Sequence, residues 1–544
     1  MTEIALGKPV AAGEHRDRAT RAIIIALGFV LCLQLGLALT KSINWDEFFH
    51  FSQIHANWRG EDVGSLLQRP FVPLFGWVPS LDGENIDQIH LIRSLIMPFE
   101  LLLVGAIIAA ARRFTDLATA LLCGLAYVTA GYAFTQGLAL RADVISASLV
   151  MSALAIGLHR KLGPVTLATM AVLTALAFVA TIKVVLYLPA FLALAILRWD
   201  EVKQWIWLAP LGGIIGIVGI AFAAPDALAT FEHTLSGSFQ RMFGGGLFPQ
   251  HMHWVRQSAM ASVFTVLLIG FGIWLIKGKS ESKLALALLA VPALWPIIYF
   301  NSYPYFFAFI LPPVAVALAP VIKIAAERYG DLALAAIFTL NAVALFAMDP
   351  RESQTNQKQV QALVSEAFPA PAAYIDESGM IGNFPRAVPQ FASGWALSAY
   401  LERGEPIYSR AILERPVPLV LANCLTLRNA FSDNPVGERL LPEDEALLRA
   451  NYIQHAGIVM VAGKRLAAGA ILSDELVAVP GDYRIEGDAI AINGEVFEVG
   501  SVVSLKRTGY NFGNAGSQDA ALRWAEAGEP QDSDITFLDL YSGY

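Results

Sequence analysis

The sequence predicts a polytopic α-helical membrane protein with about eleven transmembrane helices, followed by a C-terminal soluble α/β domain. Three observations carry that prediction. Of the 544 residues 56% are hydrophobic and 15% charged, and the mean hydropathy is +0.53, whereas soluble domains carry about 25% charged residues. Apolar runs of about the length needed to cross a hydrocarbon core of roughly 30 Å recur as far as Ala347. From Asp349 onward they stop, and Pro, Gly and short strand-length segments replace them.

Taken in order, the expected spans are Arg21–Thr40, Ile92–Ala111, Leu117–Phe134, Val144–Leu158, Pro164–Ile182, Val184–Leu197, Trp205–Ala224, Ala259–Ile276, Leu284–Phe300, Phe306–Ile322 and Leu332–Ala347. Basic residues set their orientation, because cytoplasmic loops are enriched in Lys and Arg. The N-terminal tail carries Lys8, Arg16, Arg18 and Arg21, and the even-numbered connections "ARRFTD", "HRKLG", "RWDEVKQW", "KGKSESK" and "KIAAERYGD" are basic or mixed. The N-terminus is therefore expected in the cytoplasm. Residues 349–544 then form an extracytoplasmic domain after a membrane module of residues 1–348. The first run lacks a small-residue cleavage site and reads as a span, not a cleaved signal.

In the C-terminal part, "PVPLVLANC" and "AGIVMVAG" read as strands and "PEDEALLRANYIQH" as a capped helix. The stretch "YRIEGDAIAINGEVFEVGSVVSLKRTG" reads as hairpins, with Asn493-Gly494 at one turn. Residues 349–544 hold 15 Lys and Arg against 26 Asp and Glu, a formal charge of −11. That balance disfavours a nucleic-acid partner. Cys32, Cys123 and Cys424 are scattered and supply neither a disulfide framework nor a Cys-based metal site.

The chemistry concentrates in the first outer loop, residues 41–91, which opens "INWDEFFHFSQIHANWRGE". Asp46 and Glu47 follow the first span almost at once, His50 stands one helical turn beyond Asp46, and His55 follows on the same segment. A carboxylate there can take a proton from an incoming hydroxyl or amine, hold a metal ion, or simply cap a helix with Trp45 as interfacial anchor. A Pro-rich aromatic stretch, "LLQRPFVPLFGWVPSL", comes next. At other outer helix ends stand Arg93, Arg141 with Asp143 in "LALRADVISA", Lys183 in "FVATIKVVLYLP", and Tyr303 and Tyr305 in "NSYPYFFAFILPP".

Taken in this order and topology, these motifs resemble the GT-C membrane glycosyltransferases, in particular the branch of protein O-mannosyltransferases and the lipid A aminoarabinose and galacturonic acid transferases. The resemblance covers residues 20 to about 350. It departs from the pattern after Lys183, where the Gly common in that branch is absent. It implies an inverting transfer of a sugar from a polyprenyl-phosphate donor to an extracytoplasmic acceptor, whether glycolipid such as lipid A core, polysaccharide or protein, in a bacterial inner membrane. By the same analogy Asp46 is the catalytic base and Glu47 its companion. His50, His55, Asp143, Tyr303 and Tyr305 then orient acceptor or donor, and Arg93, Arg141 and Lys183 bind the donor phosphate. Arg141 and Asp143 have the alternative of pairing with each other, and Lys183 of snorkelling from a helix end. No cofactor is called for; a divalent metal stays open, with His251 and His253 in "FPQHMHWVR" as its candidates. A polysaccharide polymerase or ligase using lipid-linked sugars, or a lipid or sugar flippase, remains the alternative class. A flippase is expected to show inverted repeats and charges near the bilayer midplane, and the charges here gather at helix ends.

Overall fold

The computed structural model describes residues 10–63, 68–205, 242–277, 282–388, 394–514 and 516–541. Its N-terminal part is helical and its C-terminal part carries the sheets. Among the described residues four helices are long and apolar enough to cross a membrane, six if each bent pair counts as one span. They include α1 (Val10–Thr40), α4 (Asn85–Ala111) and α7 (Ala142–His159). The outer loop between α1 and α4 carries α2 (Trp45–Trp58) and the short α3 (Phe71–Phe75).

Several expected spans are broken. The run Leu117–Phe134 divides into α5 (Leu117–Val128) and α6 (Tyr132–Gln136). Between them Gly131 takes φ +55°, and a Cβ there would meet Gln257 Oε1 at 2.7 Å. After α8 (Pro164–Ala180) the chain passes through a 3₁₀ segment, Ile182–Tyr187, before α9 (Leu188–Leu197) and the single turn α10 (Trp199–Val202). The expected span Trp205–Ala224 lies outside the described residues except for Trp205. Helices α11 (His251–Met260) and α12 (Ser262–Lys277) meet at 97°, so the run Ala259–Ile276 begins at a corner. Helix α13 (Lys283–Ala290) gives way to a 3₁₀ turn holding Pro292 and Pro296, which have no N–H to continue an α-helix. Helices α14 (Pro304–Ala317) and α15 (Ala319–Tyr329) bend by 65°, so the run Phe306–Ile322 is not one straight helix. Helix α16 (Asp331–Ala347) follows as expected.

Beyond it, α17 (Glu352–Ala367) anchors the C-terminal part to the first loop through Gln357. This fully buried amide donates to the carbonyls of Ile43 and Leu540, both at 2.7 Å, and accepts from Ile43 N at 2.9 Å. The main sheet has seven strands. Along its path run β1 (Tyr374–Ile375), β2 (Leu419–Leu421), β4 (Val459–Leu466), β11 (Ala520–Trp524), β6 (Gly481–Glu486) and β9 (Val502–Leu505), with β3 (Tyr452–Ala456) also paired to β4. A second sheet orders β5 (Ile471–Leu476), β10 (Gly509–Gly513), β7 (Ile490–Ile492) and β8 (Glu495–Phe497). The expected Asn-Gly hairpin joins β7 to β8, with φ +51° at Asn493 and +90° at Gly494, the left-handed pair a type I′ turn requires. One expectation is corrected: the helix α21 (Pro442–Asn451) stops at Asn451. Residues 452–455 belong to β3, where they pair with β4 and bury Tyr452, Ile453 and His455. Helices α18 (Gly394–Arg403) and α19 (Ile407–Glu414) come between β1 and β2 in the chain, and α20 (Leu425–Ala430) follows β2.

Candidate active site

Helix α2 starts with a capping box. Asn44 accepts from Asp46 N at 3.0 Å, and Glu47 Oε2 accepts from Asn44 N at 3.1 Å, which satisfies amides the first turn leaves orphaned. Successive residues diverge by about 100° around a helix, so Asp46 and Glu47 face different partners.

Glu47 turns into the protein. Arg93, from α4, meets it with Nε at 2.9 Å and Nη2 at 2.5 Å, and Leu140 N donates at 2.7 Å. Burial pushes the Glu47 pKa up, but the charge and hydrogen bonds of Arg93 outweigh it, and the carboxyl stays below its ordinary value. Arg93 also donates to the carbonyls of Ala38, Lys41 and Ser42. A guanidinium has five N–H groups, and here all five are used within the protein. Arg93, 3% exposed, is thus a clamp on the α1–α2 corner with no donor left over for a phosphate.

Asp46 faces a separate charged cluster. Arg141, extended just ahead of α7, pairs with Asp46 through Nη1 and with Asp143 through Nε at 3.2 Å. Lys183, in the 3₁₀ segment after α8, reaches the other Asp143 oxygen at 2.6 Å. Asp143 sits in the first turn of α7, where the helix dipole favours a carboxylate. Beneath the cations lies Tyr305, at the start of α14, with the Arg141 guanidinium carbon 3.2 Å and Lys183 Nζ 4.8 Å from its ring centre. Tyr303 stacks on Tyr305 at 6.1 Å, and His253 stands 5.5 Å from Tyr303. Two carboxylates and two cations from three separate stretches therefore form one neutral group over an aromatic floor supplied by a fourth.

The remaining candidates fall around it. His50 packs against Phe71 with ring centres 4.3 Å apart. Burial, reinforced by Arg141, Arg69 and Lys183, pushes its pKa well down, so it is neutral at physiological pH. His55 lies away from the cluster, hydrogen-bonded to Gln88 at 3.0 Å and lowered by burial to about 4. His251 is exposed at the start of α11. Among the described residues no three His, Cys, Asp or Glu side chains come together as a metal site. The structure adds Arg69, which with Phe49, Gln53, Arg59 and Arg386 lines a groove of about 390 Å³ along α2. Its signal in the sequence is an Arg ahead of Pro in the aromatic stretch after α2. On the Glu47 side lies a second cavity of about 520 Å³, lined by Lys41, Tyr132, Arg256 and Asp349 among others.

No family model and no curated protein matches the sequence. Solved structures do. ArnT from Cupriavidus metallidurans, bound to undecaprenyl phosphate, superposes over 73% of this chain and 93% of its own with a TM-score of 0.50 at 13% identity. The archaeal oligosaccharyltransferase AglB from Archaeoglobus fulgidus, in complex with an inhibitory peptide and a dolichol-phosphate, covers 95% of this chain and 99% of its own, with a TM-score of 0.50 at 9% identity. The chain has the GT-C fold. At such identities the likeness extends to the GT-C architecture, a helical membrane part and a C-terminal domain, and the roles of individual residues rest on the geometry above.

Proposed function

We propose that the chain is an inverting glycosyltransferase that moves a sugar from a polyprenyl-phosphate donor to an extracytoplasmic acceptor. The observation that carries this reading is the convergence of Asp46, Arg141, Asp143 and Lys183 at the ends of membrane helices, on a fold shared with proteins whose structures hold a polyprenyl phosphate or a dolichol phosphate. A lipid tail keeps such a donor in the bilayer and brings its phosphate to this depth. Asp46 takes the proton of the acceptor hydroxyl or amine as that atom bonds to the anomeric carbon. The bond from the anomeric carbon to the phosphate oxygen breaks in the same step, and the electron pair leaves with the phosphate. Arg141 and Lys183 stabilise the charge that develops there, the phosphate competing with Asp46 and Asp143 for their N–H groups. Attack opposite the leaving group inverts the anomeric centre. Asp143 and Tyr305 hold the two cations in place, Tyr303 and neutral His50 shape the space around Asp46, and Glu47 and Arg93 fix the helix that presents it. The acceptor is a glycolipid, polysaccharide or protein. Incubating the purified protein with a panel of polyprenyl-phosphate sugars and membrane acceptors, with products identified by mass spectrometry, tests this function. A sugar-bearing acceptor supports it, and no transfer from any lipid-linked donor removes it.

The reading sets a membrane module of residues 1–348 in a bacterial inner membrane, the N-terminus in the cytoplasm and residues 349–544 outside. Alkaline phosphatase fused after Asp349 is then expected to be active. An inactive fusion there, with a cytoplasmic reporter active at the same position, overturns the orientation.

A further inference from the structure

One cavity in the C-terminal part takes no role in the reaction above. β1 and β2, the parallel pair of strands among the described residues, run side by side with Tyr374 opposite Leu419. The chain leaves their carboxyl ends into loops that bear Asp376 and Glu377 on one side and Asn423 and Cys424 on the other. Such strand ends are where open α/β sheets bind ligands. Here Asp376 and Glu377, at the β1 end, border a cavity of about 340 Å³, near the lower end of the roughly 300–1,000 Å³ typical of small-molecule sites.

The side chains around it are of mixed chemistry. Glu377, 8% exposed, receives the Tyr408 hydroxyl at 3.4 Å. Burial pushes its pKa up to about 7, against the hydrogen bonds from Cys424, Thr426 and Tyr408. Tyr400 and Tyr408 form an edge-to-face wall with ring centres 6.0 Å apart. Arg403, Glu405 and Arg410 stand exposed at the mouth. Asp376 is committed to the fold: it accepts from Gly379 N, Met380 N, Arg386 Nε and Asn423 Nδ2 at 2.8–3.1 Å.

The loop from Asp376 also lies directly on α2. A Cβ on Gly379 would stand 2.5 Å from Ser52 Oγ, and one on Gly382 2.7 Å from the Phe51 ring. At about 1.5 Å per residue, Ser52 is roughly 9 Å along the helix from Asp46.

We propose that this cavity is a carbohydrate subsite holding a mono- or disaccharide unit of the acceptor, an inference that rests on the glycosyltransferase reading above. The cavity is too small for a folded partner. A carboxyl and guanidinium groups offer both acceptors and donors to neighbouring hydroxyls, and the tyrosines offer the apolar surface a pyranose face needs. Glu405 lies 4.0 Å from Arg410, and with Arg403 and the Glu377 carboxyl beside them the mixed charges suit a neutral polyol better than a strongly charged ligand. The loop that leaves Asp376 and Glu377 joins this cavity to α2, the helix that carries Asp46.

The test uses the full-length protein in lipid nanodiscs without donor, titrated with neutral mono- and disaccharides and followed by saturation-transfer NMR. At least one sugar is expected to bind the wild type, and Glu377→Gln and Arg403→Ala are each expected to weaken it about tenfold or more, while Asp46→Asn binds it normally. Arg403 is exposed, so its variant decides the matter should Glu377→Gln unfold. The proposal is overturned if no sugar binds the wild type, if neither variant weakens binding, or if Asp46→Asn abolishes it, which would put the sugar in the charged cluster. Binding of short peptides in place of sugars overturns it as well. Failure of transfer in the mass-spectrometric assay, with this binding pattern intact, counts against the proposed reaction and not against the subsite.

Discussion

Asp46→Asn is expected to fold, to hold donor, and to turn over about 10²–10⁴ times more slowly than the wild type, the usual loss when a positioned general base is removed. The structure explains why fold is spared. Asp46 is one of two carboxylates on Arg141, and after the substitution Arg141 keeps Asp143, which also keeps Lys183. The amide cannot accept the acceptor's proton, so the loss falls on turnover while the cations still meet the phosphate. Single-turnover rates with saturating donor and acceptor measure this. Wild-type turnover in the variant would reduce Asp46 to a helix-end charge partner for Arg141.

Glu47 is expected to behave in the opposite way. Glu47→Ala leaves Arg93 buried beside an unfilled partner position, and breaking a buried pair from one side typically costs about 3–5 kcal/mol. The variant should therefore lose unfolding temperature, read in detergent by the loss of helical signal, before any defect in chemistry is visible. The pH dependence follows from the same pair. Because Arg93 holds the folded-state pKa of Glu47 below its ordinary value, its contribution is complete above the unfolded pKa of about 4.3. It is lost as pH falls through the lower folded value. Normal stability in Glu47→Ala would show that the clamp at the α1–α2 corner does not hold the fold.

The difference between these neighbours was partly legible in the sequence. Position alone, after the first span, pointed to Asp46. Helix-end placement points equally to Arg93, Arg141 and Lys183, and the resemblance adds Asp143 and Tyr305; the structure brings all of these except Arg93 together around Asp46. The resemblance implies catalysis for Glu47 and phosphate binding for Arg93, yet Asn44 followed three residues later by Glu47 is itself a capping-box signature. That short pattern carried the structural role, and the resemblance masked it. Which way Arg93 points depends on the carbonyls of Ala38, Lys41 and Ser42, exposed by how α1 ends. No pattern local to Arg93 contains that information. The same holds for the broken span at Gly131: hydropathy averages over it, while its contact with Gln257 comes from a distant helix. In the C-terminal part, Asn493-Gly494 marked its hairpin because both residues tolerate positive φ. The end of α21 was hidden, because "YIQH" extends a helical pattern as readily as it begins a strand.

Arg141 and Lys183 are proposed to receive the phosphate of a lipid-linked donor, and equilibrium binding of undecaprenyl phosphate to the purified protein measures whether they do. One lost charged hydrogen bond is worth about 1.5–3 kcal/mol, so Arg141→Ala and Lys183→Ala should each weaken binding about 10- to 150-fold, with unfolding temperatures near that of the wild type. Wild-type affinity in both folded variants would contradict the claim and move the phosphate site away from this cluster.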